Sequence, residues 1–183
     1  MKRKKIMEKN LKFFFLKKKK YFYSQSPNIL INKQYQVKLC DFGTARFDTE
    51  DNLKTLAKMT GTYAYLAPEV FYGQKFTDKS DVWAVGIIIW ELVHRVITGK
   101  YQLPYAEHKL KRELQILYQV AEKNLRPTMP ETCVPELQKL INACLAKEQS
   151  ERPTASQLTQ EVENLIKIFE KDQNKWNSCI VIF

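Results

Sequence analysis

The apolar positions of this chain fall into a few blocks, and most of them repeat at helical spacing. From Val82 to Val93 the chain is apolar on nearly every side, interrupted by Glu91, which predicts a buried helix at the centre of a domain. Thr98-Gly99 reads as the end of that helix, and Leu103-Pro104-Tyr105 as a turn. Leu110, Leu114, Leu117 and Ala121 then recur at helical spacing until Pro127 and Pro130 break the pattern. Leu137, Leu140, Ile141, Cys144 and Leu145 predict another amphipathic helix. A last stripe of Leu158, Val162, Leu165, Ile166 and Phe169 follows Thr154 and Gln157, which have the spacing of a capping box. Strand character is confined to a short buried segment with Val37, Leu39 and the Cys40/Phe42 side, ending at Gly43.

The chemistry gathers around that strand end. Residues 37–47 read V-K-L-C-D-F-G-T-A-R-F, a polar run follows, and residues 61–69 read G-T-Y-A-Y-L-A-P-E. A carboxylate at a strand end beside a glycine turn is well placed to hold a cation, because the glycine lets the backbone swing while the carboxylate faces open space. Asp41 taken alone could equally be an ordinary surface aspartate, and Asn28 an ordinary turn residue. A carboxylate and an amide oxygen converging from two loops can share metal ions, and the thirteen-residue separation of Asn28 and Asp41 takes its meaning from a family resemblance.

D-F-G followed in order by Ala67-Pro68-Glu69 resembles the activation segment of a eukaryotic protein kinase. Ser26-Pro27-Asn28-Ile29-Leu30-Ile31 resembles the end of that family's catalytic loop, H-R-D-L-K-x-x-N-I-L. Asp81-Val82-Trp83-Ala84-Val85-Gly86 resembles its D-x-W-x-x-G, and residues 144–154 its C-W-x-x-x-P-x-x-R-P-T region. The resemblance runs from Ser26 to about Phe169. It implies a protein kinase-like α+β fold, represented here mainly by the α-helical C-terminal lobe with the N-terminal β lobe missing. It also implies transfer of the ATP γ-phosphoryl to a protein Ser or Thr with Mg²⁺, and the wording of the segments resembles the tyrosine-kinase-like group of serine/threonine kinases. Asn28 and Asp41 would inherit the metal, followed by Phe42 and Gly43 of the same motif. Gly61 and Thr62 would form the substrate-facing loop. Thr44, Thr49, Thr55 and Thr60 are candidate phosphorylation sites or simply threonines of a polar loop. Glu69 would pair with Arg152, a buried pair costing about 3–5 kcal/mol to break. Asp81 would cap the central helix, and Trp83 belongs to the same structural motif.

The family pattern breaks immediately before Ser26. Tyr23 occupies the position of the catalytic aspartate, and Gln25 that of the phosphate-facing lysine. A phenol with a pKa of about 10 cannot replace a carboxylate that accepts the hydroxyl proton. His94-Arg95 has no aspartate behind it and does not supply the missing triplet. No G-x-G-x-x-G loop and no V-A-I-K strand stands upstream. Such an abrupt boundary inside a motif is expected from a splice or gene-model error.

Charge modifies the picture only at the N-terminus. The formal net charge is +10, but residues 1–20 alone carry ten basic side chains against Glu8, so the remainder is nearly balanced. The basic character therefore reports on a tail and gives no support to specific nucleic-acid binding. That tail reads as disordered, as translated non-coding sequence, or as a basic amphipathic segment on an anionic membrane through Phe13, Phe14, Phe15 and Leu16. Four scattered cysteines form neither a zinc motif nor a disulfide framework, which fits reduced thiols and a cytoplasmic location. No apolar run reaches transmembrane length.

The expected organisation is a basic low-complexity segment over 1–25, a kinase C-terminal lobe over 26–170 with its activation segment at 41–69, and a tail over 171–183. Cys179 stands fifth from the end and so does not form a prenylation box. Three readings stay open: part of a serine/threonine kinase, inactive as this chain; a non-catalytic kinase-like module that docks protein substrates or regulatory proteins; and a protein led to membranes or nucleic acid by its basic tail. ATP and Mg²⁺ are the cofactors the first reading implies.

Overall fold

A computed structural model describes residues 26–34, 36–40, 63–172 and 176. A short antiparallel hairpin comes first. Strand β1 (Ile29–Ile31) pairs with β2 (Val37–Leu39) in the register Ile29 to Leu39 and Ile31 to Val37. Its turn is organised by Asn32, whose side-chain oxygen accepts the backbone N–H groups of Gln34 at 3.0 Å and Gln36 at 2.9 Å. That geometry is the Asx turn by which asparagine replaces a backbone partner. The hairpin is less buried than the sequence pattern predicts: Val37 is half-buried, and Leu30 and Ile31 face solvent.

Among the described residues five helices follow: α1 (Pro68–Phe71), α2 (Asp78–Thr98), α3 (Glu113–Glu122), α4 (Pro135–Cys144) and α5 (Ala155–Lys171). Helix α2 is the predicted central helix and supplies Val82, Trp83, Ala84, Ile87, Ile88, Trp90, Val93 and Ile97 to the core. It packs on α4, and at their crossing a Cβ at position 86 would lie 2.6 Å from Cys144 Cβ, so glycine is what lets the two helices approach. Helix α2 stops at Gly99, whose φ of 73° is the left-handed conformation of a helix C-cap. Helix α5 opens with the expected capping box: Thr154 N–H donates to Gln157 Oε1 at 2.7 Å, and Gln157 N–H to Thr154 Oγ1 at 3.2 Å.

Three helix expectations change. Thr77, not Asp81, caps α2: its hydroxyl accepts the Lys79 N–H at 3.2 Å while Ser80 Oγ accepts the Thr77 N–H at 3.2 Å. Asp81 lies within the first turn and is half-buried, so it retains the favourable helix dipole but not the cap. Helix α3 buries Leu117, Val120 and Ala121, whereas Leu114 is exposed and Leu110 precedes the helix. Glu91 is buried as well, and its position in α2 is a built feature rather than an interruption. Beyond α5, Trp176 is buried and meets Phe169 edge-on with centroids 5.7 Å apart, an addition to the core that the fading pattern did not predict. Among the described residues no helix is long and apolar enough to cross a membrane.

Candidate functional site

Two polar clusters hold the described segment from Tyr63 to Glu69. The first holds its C-terminal end. Glu69 is almost completely buried at the start of α1, and Arg152 meets it in a two-pronged pair: Nη1 to Oε1 at 2.8 Å and Nη2 to Oε2 at 2.7 Å. Arg152 also donates to the carbonyls of Ala146 at 2.9 Å, Lys79 at 3.0 Å and Lys147 at 3.0 Å. All five guanidinium N–H groups are thereby used, the condition under which a buried arginine is tolerated. Ser80 Oγ donates to Glu69 Oε1 at 2.6 Å, and Lys79 Nζ donates to the Arg152 carbonyl. The expected Glu69–Arg152 contact is thus present, with α2 joined to it.

Trp83 packs against this arginine. Its ring is fully buried between two cations, with the Arg152 guanidinium carbon 5.0 Å from the ring centroid and that of Arg126 at 4.5 Å. Arg126 donates through Nε to the Leu145 carbonyl at 2.8 Å and through Nη1 to the Leu125 carbonyl at 2.8 Å. Burial holds its pKa below the ordinary arginine value. The sequence reading did not single out Arg126. Its signal was an arginine directly before Pro127, between two helices that leave their terminal carbonyls to be satisfied.

The second cluster surrounds Glu91. Its Oε1 accepts from Tyr101 Oη at 2.9 Å, Tyr65 Oη at 3.0 Å and Ser26 Oγ at 3.1 Å. Oε2 is buried with no hydrogen-bond partner. Burial raises the Glu91 pKa, and the hydroxyl donors of Tyr101, Tyr65 and Ser26 oppose that rise. Burial likewise raises the Tyr65 pKa, with the hydrogen bond it shares with Ser26 pulling the other way. One carboxylate therefore ties Ser26, the turn Tyr63–Tyr65 and the segment after α2 to the central helix. None of these three partners was predicted; a glutamate set inside an apolar helix needs donors nearby, and that requirement was the available clue.

The predicted metal residues are only partly within view. Asn28 is buried at the end of a turn, Ser26–Asn28, and its carbonyl accepts the Cys40 N–H at 2.8 Å. The segment carrying Asn28 and the strand leading to residue 41 are thus held side by side. An amide oxygen there suits a hard cation such as Mg²⁺. Tyr23, Gln25, Asp41, Phe42, Gly43, Thr44, Thr49, Thr55, Thr60, Gly61 and Thr62 lie outside the described residues. Among the described residues no group of His, Cys, Asp or Glu side chains is arranged to hold a metal ion. The described cysteines, Cys40, Cys133 and Cys144, are unbridged, and burial pushes the Cys144 thiol up to about 12.

The protein kinase domain family model matches residues 24–162. The chain is 44% identical over 158 residues to the stress-activated protein kinase alpha of Dictyostelium discoideum, spanning 86% of this chain and 25% of that protein. It is 45% identical over 159 residues to a probable serine/threonine-protein kinase of the same organism, spanning 86% of this chain and 16% of that protein. It is also 34% identical over 156 residues to the serine/threonine/tyrosine-protein kinase HT1 of Arabidopsis thaliana, spanning 85% of this chain and 34% of that protein. The chain thus spans about a third or less of these relatives.

Proposed function

This chain belongs to the protein kinase family, and on that premise we propose that residues 26–170 are the C-terminal, substrate-holding lobe of a serine/threonine kinase domain of the tyrosine-kinase-like group. The observation that carries the reading is the Glu69–Arg152 pair with all of its donors used, because it anchors the end of the substrate loop to the helical base. In the proposed role Asn28 and Asp41 hold Mg²⁺, which when bound neutralises phosphate charge during phosphoryl transfer. Gly61 and Thr62 face the protein substrate. Glu91 keeps the adjoining turn in place by collecting the hydroxyls of Tyr65, Tyr101 and Ser26. A cytoplasmic location is part of the same proposal, in keeping with the scattered cysteine spacing.

The chain as written should not transfer phosphate. Tyr23 cannot accept a proton at neutral pH as a carboxylate does, and Gln25 offers no charge to a phosphate. Incubation with Mg²⁺-ATP and a generic Ser/Thr substrate should give no incorporation above background. Mg²⁺-dependent turnover that vanishes in Asp41→Ala would overturn this. A second reading, a non-catalytic docking module, is favoured by one specific observation: Leu114, Tyr118 and Tyr72 are exposed together beside α3.

A further inference from the structure

The exposed face of α3 is not the one the apolar pattern assigns. Leu114 is 56% exposed, and Tyr118, one turn later, shares its face. The aromatic neighbours touch one another. Phe71 meets Tyr118 edge-on at 5.9 Å and Tyr72 at 5.4 Å, and Tyr72 Oη donates to the Ala121 carbonyl at 3.1 Å. Leu117, Val120 and Ala121 anchor the opposite side of the helix, so the backbone that carries this surface is already in place when something binds.

Directly before α3 stands Lys109-Leu110-Lys111-Arg112. All three basic side chains are exposed, and none is ion-paired among the described residues. Lys109 is held at φ 50°, a left-handed conformation uncommon outside glycine, asparagine and aspartate, so the backbone here is set rather than loose. Glu113 is the acid in this strip, which leaves residues 109–113 with a clear cationic excess.

We infer that this face docks an acidic, amphipathic segment of a partner protein, with its apolar side on Leu114, Tyr118 and Tyr72 and its carboxylates toward Lys109, Lys111 and Arg112. The inference rests on the docking reading and adds the chemistry of the partner. A leucine one turn from a tyrosine suits the apolar stripe of a helix better than a stack of bases.

The test titrates the full chain into a fluorescent peptide about four helical turns long, with glutamates on one face and leucine and phenylalanine on the other. A second peptide carries lysine at every glutamate, and a poly-uridine strand serves as a further probe. The acidic peptide should bind saturably and more weakly as salt rises. Affinity should fall about tenfold or more in Leu114→Glu and in the combined Lys109→Glu, Lys111→Glu, Arg112→Glu variant, with thermal melting unchanged in both. Binding of the lysine peptide alone, lost in Leu114→Glu, would keep a docking face but overturn the acidic partner. Tighter binding of poly-uridine, self-association lost in Leu114→Glu, or no peptide binding at all would overturn the inference. None of these outcomes bears on the kinase-lobe assignment, which rests on the family match and the Glu69–Arg152 anchor.

Discussion

The helical base and the β1–β2 hairpin both descend from strongly patterned sequence, yet they are held in different ways. The base is pinned by contacts between residues far apart in the chain. Arg152 reaches back across the lobe to Glu69, and Thr77 Oγ1 donates to Gln149 Oε1 at 2.6 Å. The hairpin has Ser26 on Glu91 and Tyr65, and Ile29 against the core, while Leu30 and Ile31 are 54% and 62% exposed. Two strands alone are marginal in water. The base should therefore unfold as one cooperative unit, and the hairpin should contribute little to that transition.

The largest effect should come from Arg152→Met. It takes the guanidinium away from the buried Glu69 carboxylate, which keeps the Ser80 hydroxyl, and removing one member of a buried pair costs about 3–5 kcal/mol. That is a large part of the stability of an ordinary domain. Urea unfolding followed by far-UV circular dichroism should show a midpoint shift of that size. A loss below about 1 kcal/mol would mean that Glu69 finds other donors. Gly86→Ala should follow, at about 1–3 kcal/mol, because the added methyl meets Cys144 Cβ at the α2–α4 crossing.

The base was also the more legible region. The apolar run of α2, the stripe of α4 and the capping box of α5 could be read from residue type and spacing, and the Glu69–Arg152 pair from the resemblance to the kinase motifs. What escaped were choices that depend on neighbours distant in sequence. Asp81 looked like the cap because carboxylates favour helix starts, yet Thr77 four residues earlier had the hydroxyl and the partner Ser80. Leu114 fitted the stripe of α3, but the helix is rotated to bury Val120 instead, a matter of packing that periodicity alone does not decide. Glu91 looked like a break because its three hydroxyl donors come from separate segments of the chain. Of the candidate site, Asn28 was placed beside Cys40, while Asp41 and the threonines up to Thr62 lie outside the described residues.

Thr77→Ala separates capping from general packing within the base. It removes the acceptor for the Lys79 N–H, and such losses cost about 1 kcal/mol. The donor to Gln149 disappears too, so the shift should exceed that of Thr154→Ala, whose hydroxyl has a capping role alone. Equal shifts for the two variants would show that the Gln149 contact adds nothing.

Glu91→Gln probes the junction of the two regions, and its signature is a slope rather than a simple loss. Burial lifts the folded-state pKa of Glu91 above its ordinary 4.5. Between that ordinary value, kept by the unfolded chain, and the raised one, the folded protein binds more protons than the unfolded protein. Stability therefore falls as pH rises through that window, and the cost is complete above the folded value. Glutamine keeps an oxygen for Tyr65, Tyr101 and Ser26 but does not titrate, so the decline should flatten in a series of melts. An unchanged slope would assign the pH dependence to another group.

The smallest effect should be that of Leu30→Ser, and it is the sharpest test of the contrast between the regions. Leu30 lies in β1 with its side chain mostly in water, so little apolar area is lost on substitution. Exposed substitutions of this kind usually change stability by no more than about 0.5 kcal/mol. The urea midpoint should stay where it is, while amide exchange in residues 29–39 speeds up against an unchanged rate in α2, because a marginal hairpin opens locally without unfolding the base. A midpoint shift comparable with that of Gly86→Ala would instead make the hairpin part of the cooperative unit, held there by the Glu91 cluster more firmly than three hydroxyl contacts imply.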